Sequence, residues 1–187
     1  MTALETKNKC VPRVYIACLA AYNQGFLHGK WVEVPDTEEE LIEQVREVIN
    51  TSPAHHPEEW AFHDNEYFEP FEIEEYESIS NVVKKANIIN SIDSEDYEAF
   101  KAWEGFTELD IEKSDVKEVL ERFFEEYQGC FRHEIEYCEQ LMNECYNIPQ
   151  ELENYIDYMA FWRDLKFDGY YSHESGFHEC HIFRTHC

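Results

Sequence analysis

The sequence predicts an α+β fold made of three small modules. Three observations predict it. β-rich apolar runs flank glycine-containing turns at both ends of the chain, apolar residues at 3–4 spacing fill the stretches between, and the pattern changes near residues 70 and 106. The modules are 10–69, a three-stranded antiparallel sheet with one helix; 70–105, a small helical module; and 106–187, a second three-stranded sheet with about three helices. Of 187 residues, 43% are apolar and 16% aromatic, enough for a buried core and against global disorder. Six Gly and six Pro leave no low-complexity linker.

The elements follow in chain order. Val14–Leu19 (VYIACL) is a continuous apolar run, Asn23-Gln24-Gly25 is a turn signal, and Leu27–Val34 carries Trp31 and Val32, so the three read as a β-hairpin. Pro35-Asp36-Thr37 breaks the strand, and Thr37 with Glu40 forms a T-x-x-E capping box that starts a helix. Leu41, Val45 and Val48 are its buried stripe, it stops before Pro53, and Trp60–His63 is a third strand. Next, Tyr76, Ile79, Val83 and Ala86 fit a helical face, and Ser94 caps a short helix carrying Tyr97, Phe100 and Trp103. Ser114 caps a helix over Asp115–Glu126 with Val116, Val119, Leu120 and Phe123 inward. Tyr127–Phe131 around Gly129 is a short strand. His133–Cys145 is a helix burying Ile135, Cys138, Leu141, Met142 and Cys145. Pro149 suits the first turn of a helix running to about Leu165. Tyr170–Ser172 and Phe177–Arg184, flanking His173–Gly176, form a last hairpin.

Charge is the outlying property. Asp plus Glu number 41 and Lys plus Arg 15, a formal net of −26. Small soluble domains are usually designed with a net magnitude of about 2–8, and an excess this large opposes compaction by self-repulsion. It excludes ordinary nucleic-acid binding, which needs a basic patch, and disfavours anionic membranes. A basic protein surface or a set of cations remains. Glu33–Glu77 holds 16 acids and one base, Arg46; Asp93–Glu126 holds 13 acids and four bases; Glu134–Asp157 holds seven acids and no base. Glu39, Glu43 and Glu47 recur every fourth residue and make one exposed stripe, with Cβ atoms about 5–6 Å apart. Glu72 and Glu74 alternate with apolar Phe71 and Ile73, with Glu75 next. Glu118, Glu121, Glu125 and Glu126 are expected opposite the Val119–Phe123 face. With Asp96, these are the candidate partner-binding carboxylates. Duplex DNA carries one charge per about 1.7 Å of axis, so this net charge matches about 44 Å of duplex, and two chains about 88 Å.

Other chemistries find little support. Among paired carboxylates none stands out as acid and base, and the phosphate-loop, nucleophile-elbow and calcium-loop motifs are missing. No cofactor is implied. The C-terminal His173, His178, Cys180, His181, His186 and Cys187 lie close in sequence, but their spacing departs from structural zinc motifs, so strand and tail residues are expected rather than a metal site. Seven cysteines without a C-x-x-C pair, an N-terminus without an apolar signal segment and no membrane-length run lead to the expectation of a reduced cytoplasmic protein with buried thiols, Cys18 among them.

Three strings carry a family resemblance: PRVYIACLAAYNQGFLHGKWVEV, EEWAFHDNE and YIDYMAFWRDLKFDGYY followed by HIFR, together reaching from about Pro12 to Arg184. The chain resembles the ArdA antirestriction proteins. The resemblance implies a non-enzymatic protein of mobile genetic elements. Such a protein inhibits type I restriction-modification enzymes by imitating the bent duplex held by their specificity and methyltransferase subunits. It also implies an elongated three-module homodimer joined through the C-terminal module; it leaves the contact residues open, with Phe167 and Tyr170 as candidates from this sequence. The carboxylates act as a distributed field. The alternative is an acidic binding module for a basic nucleoid-type host protein, which needs the charge but not the duplex-like shape.

Overall fold

The computed structural model describes residues 10–149 and 151–185, and no helix among them is long and apolar enough to cross a membrane. The fold is α+β, with two three-stranded antiparallel sheets and seven α-helices among the described residues. It forms two compact units. Among the described residues, one is 10–97 with Leu109–Val119; the other is Glu98–Glu108 with 120–149 and 151–185.

The first unit contains β1 (Arg13–Cys18), α1 (Leu19–Asn23), β2 (Gly29–Glu33), α2 (Glu38–Asn50), β3 (Trp60–Glu66) and α3 (Ile79–Ser91). Its strands lie in the order β2-β1-β3, all antiparallel. Val14, Ile16, Val32 and Phe62 are buried on the sheet, and Leu41, Val45 and Val48 on α2, which packs against β1. Thr37 caps α2, accepting the Glu40 N–H at 3.4 Å, while its hydroxyl donates to the Glu40 carboxylate at 3.0 Å. The T-x-x-E expectation therefore holds, with the glutamate closing onto the hydroxyl.

The structure departs from the expectation at three points here. The expected simple hairpin turn is preceded by α1, because Leu19-Ala20-Ala21 favour helix and Ala21 is fully buried; an apolar run does not distinguish the two states. The returning strand starts at Gly29, where a Cβ would lie 2.6 Å from the Ile16 carbonyl oxygen, so only glycine permits the approach of β2 to β1. Tyr76 lies outside α3 and is exposed. The helix begins after Ser78, whose Oγ accepts the Asn81 N–H at 3.2 Å. Val82, Val83, Ala86, Ile88 and Ile89 are its buried face.

The chain passes between units within α4 (Tyr97–Glu104), between Glu108 and Leu109, and within α5 (Val116–Glu126). Ser94 lies in a turn closed by the Asp96 N–H on Asp93 C=O, three residues ahead of α4. Asp115, not Ser114, caps α5, because its Oδ1 accepts the Glu118 N–H at 2.8 Å; Ser114 is buried.

The second unit continues with β4 (Tyr127–Phe131), α6 (Glu134–Cys145), a 3-10 turn (Glu153–Tyr155), α7 (Tyr158–Phe167), β5 (Tyr170–Gly176) and β6 (Glu179–Arg184), in sheet order β4-β6-β5. Phe183, with Tyr127 and Tyr171 opposite it, belongs to an aromatic cluster with Phe123, Phe100 and Trp103. Cys180 and Ile182 join Tyr137, Cys138, Trp162 and Leu165 in a second core. Alternation along β6 thus gives each face of the sheet its own core.

Here also the helix limits shift. Cys145 is exposed at the end of α6, and Tyr137 takes a buried place beside Cys138. Pro149 lies outside any helix; α7 starts where Asp157 accepts the Ala160 N–H at 3.0 Å. The last hairpin turns at Phe177-His178, with His178 at φ +62°, because ladder pairing to β6 carries β5 through His173 and Glu174 to Gly176.

Glu126 ties this unit together. It is 1% exposed, accepts the Trp103 Nε1–H at 2.6 Å and pairs with Arg122 Nε at 2.7 Å. Glu126→Ala leaves an indole N–H unsatisfied and should cost about 2–3 kcal/mol, while Glu126→Gln, which keeps an acceptor, should cost less. Urea unfolding followed by tryptophan fluorescence checks the order of the two variants.

Candidate functional site

The candidate site is a set of carboxylates. Glu39, Glu43 and Glu47 are exposed on α2, across the helix from Leu41, Val45 and Val48. Glu39 sits in the first turn with Glu38 and Glu40, where the helix dipole favours negative charge. Arg46 Nη1 lies 3.4 Å from Glu43, and Lys30 Nζ lies 2.8 Å from Glu47. These pairs are solvent-exposed, so each contributes only about 0–1 kcal/mol.

Glu72, Glu74 and Glu75 are exposed on the segment between β3 and α3, while Phe71 is buried. Two interactions fix this segment. The Phe62 N–H donates to Glu75 C=O at 3.0 Å, laying the segment along β3. Beneath it is an ion pair missed in the sequence reading: Lys85 Nζ is 3.2 Å from Glu77 Oε2, with both side chains about nine-tenths buried. Lys85 also donates to Glu72 C=O at 2.9 Å, and Glu77 accepts from the Glu74 N–H at 3.3 Å and from Asn81 Nδ2 at 3.1 Å. Asn81 and Lys85 lie four residues apart on α3, and Glu77 stands just before its cap, Ser78, so the spacing along one helix side carries part of the signal. The charge of Glu75, with a hydrogen bond to its carboxylate, lifts the neighbouring Tyr76 hydroxyl above its ordinary range.

Glu118, Glu121 and Glu125 are exposed on α5, and Asp96 is half-buried in the turn before α4. Glu126 is the correction to the expected exposed set, since it is a core acceptor and not a surface charge. It stands seven residues after Val119 and three after Phe123, on the apolar face by helical period.

The C-terminal histidines and cysteines have structural surroundings. His181 is buried, with Nδ1 3.0 Å from the Tyr127 hydroxyl and Nε2 3.0 Å from Ser175 Oγ. His173 stands opposite it in the ladder, and His178 is in the turn. Burial pushes the Cys138 and Cys180 thiols up to about 11 and about 12, away from reactive thiolate character. Cys18 is buried, its Sγ 3.2 Å from Ser52 Oγ. His186 and Cys187 lie outside the described residues. Among the described residues, no group of three or more His, Cys, Asp or Glu is placed to hold a metal ion.

The family model described as antirestriction protein (ArdA) matches residues 14–179, from the second residue of β1 to the first of β6. The chain belongs to the ArdA antirestriction family. Among curated proteins none matches it. Membership in ArdA gives the acidic surface a biological setting: the family's described role is to counter restriction.

In this ArdA-family chain the Lys85–Glu77 pair positions three candidate carboxylates. Burial opposes the charge on Glu77, but hydrogen bonds from Asn81 and the Glu74 N–H, with Lys85, outweigh it and hold the carboxyl below its ordinary range. The stability from this group is present above the unfolded carboxyl value, about 4.3, and is lost as pH falls through the lower folded value. Lys85→Met should destabilise the first unit by about 3 kcal/mol at neutral pH and flatten the acid-side loss. Denaturation curves from neutral pH down to about pH 2 measure both effects.

Proposed function

We propose that this chain inhibits type I restriction-modification enzymes by presenting carboxylates where duplex DNA presents phosphates. They occupy the groove of the specificity and methyltransferase subunits. The observation that carries the reading is the segregation of exposed acids onto ordered elements of an antirestriction-family chain: Glu39, Glu43 and Glu47 on α2, and Glu72, Glu74 and Glu75 beside β3. Glu118, Glu121, Glu125 and Asp96 extend the set.

Magnitude decides how the set works. Carboxylates four residues apart on a helix recur about every 6 Å, whereas one DNA strand places a charge every 3.4 Å of axis. The stripe on α2 alone therefore has about half the linear charge of one strand, and the other elements must supply the rest. The field is distributed, steers its partner over a long range and weakens with salt. The role is an inhibitor's, without catalysis or cofactor, in the cytoplasm where restriction operates, and it fits genes carried by mobile elements.

A duplex-length field calls for two chains. The second unit presents Leu152, Tyr155, Met159 and Phe167 to solvent. Met159, Arg163 and Phe167 recur every fourth residue along the exposed side of α7. An exposed apolar set of this kind marks an association surface, and we assign it to the homodimer. Met159→Asp with Phe167→Asp should convert the dimer to monomer in analytical ultracentrifugation; a variant that stays dimeric would remove this assignment.

Competition against labelled duplex for a type I methyltransferase, across salt concentrations, tests the mimicry. Glu39→Gln alone should weaken inhibition by less than about fivefold. Neutralising Glu39, Glu43 and Glu47 together should weaken it far more and lower the salt dependence, since it also unpairs Arg46 and Lys30. Loss of all inhibition from one substitution would contradict a distributed field.

A further inference from the structure

The first unit covers one face of its sheet with α2, and on the other face the register aligns two rows of side chains. Arg13 stands between Glu33 and Glu66, and Tyr15 stands between Trp31 and Asp64. Trp31, Glu33 and Asp64 are exposed, Arg13, Tyr15 and Glu66 are half-buried, and Tyr67, just beyond β3, is exposed. Tyr15 and Trp31 meet edge to face at 5.7 Å.

This face already holds one guanidinium, its own. Arg13 Cζ lies 5.2 Å from the Trp31 ring centroid and 5.7 Å from that of Tyr67, while Arg13 Nε donates to Glu66 at 2.7 Å and Nη2 donates to the same carboxylate. The Glu66 hydrogen bond raises the Arg13 pKa further, so the charge is permanent. Ring faces with a coplanar carboxylate acceptor favour a planar, weakly hydrated guanidinium over an ammonium. Arg13 uses Glu66; Glu33 and Asp64 flank the same rings from the neighbouring positions of the register. The surrounding segment Glu33–Glu77 has Arg46 as its one base.

We propose that the helix-free face of the first sheet is an arginine-docking surface: guanidinium groups of a basic protein partner seat on Trp31 and Tyr15 and donate to Glu33 and Asp64. The proposal rests on the inhibitor reading and deepens it. Carboxylates alone attract any cation, whereas these rings select arginine from lysine and give the acidic field a local preference.

The test titrates the purified full chain with oligo-arginine and oligo-lysine peptides of equal length and charge, following the Trp31 indole N–H by NMR. The expected result is binding at least about fivefold tighter for oligo-arginine, with a shift of the Trp31 signal. Trp31→Val with Tyr15→Leu, followed by calorimetry because the indole reporter is gone, leaves the net charge unchanged and should erase the preference while leaving the salt dependence intact. Trp31→Phe keeps a ring should the double variant fail to fold, and should retain part of the preference. Equal affinity for the two peptides, or a preference that survives loss of the rings, overturns the proposal. The duplex competition assay separates the two ideas. A wild-type chain that competes with duplex but shows no arginine preference refutes this surface alone. One that prefers arginine but fails to compete refutes the mimicry and leaves the surface in place.

Discussion

Self-repulsion is the constraint under which every element of this chain forms. A net charge of −26 on 187 residues favours expansion, so apolar burial and a small number of well-placed cations must hold the acids together. Two of those cations pair with buried acids. Lys85 neutralises Glu77 beneath the acidic segment of the first unit, and Arg122 neutralises Glu126 beside Trp103 in the second. Breaking either pair leaves a charge or a polar group in a poorly solvated place, so their effect on stability exceeds that of the surface pairs.

This arrangement links stability to the surface. The Lys85 ammonium reaches both the Glu77 carboxylate and the Glu72 carbonyl, so the interaction that holds the segment down also sets where Glu72, Glu74 and Glu75 stand. On α2 the same economy comes from periodicity: the face opposite Leu41, Val45 and Val48 is where Glu39, Glu43 and Glu47 must lie. Rigid placement reduces the ordering cost of binding, and under the proposed distributed field that reduction matters more than any single contact.

Local signals were read well where the chemistry is local. The T-x-x-E sequence placed the start of α2 because the capping atoms belong to residues three apart, and the stripe of that helix followed from its period. Readings failed where a distant partner chose between two local options. Leu19–Asn23 suits strand or helix, and the close β1–β2 approach at Gly29 places the strand restart there. Pro149 offers a helix start, but the chain uses Asp157, eight residues later. The chemistry of Glu126 predicts a surface charge, although its position relative to Val119 and Phe123 is a core position; a buried indole N–H supplies the reason for a carboxylate there.

The amino-acid sequence by itself determined the fold class, most of the helices and strands, the sign and density of the charge, and the family. Each of these depends on composition or on spacing within one element. Only the tertiary structure decided which acids are surface charges and which are internal acceptors, and that Arg13, Tyr15 and Trp31 share one sheet face with the Tyr67 ring beside Arg13. Burial and cross-strand register are set by residues far apart in the chain, and no local pattern encodes which of them will meet.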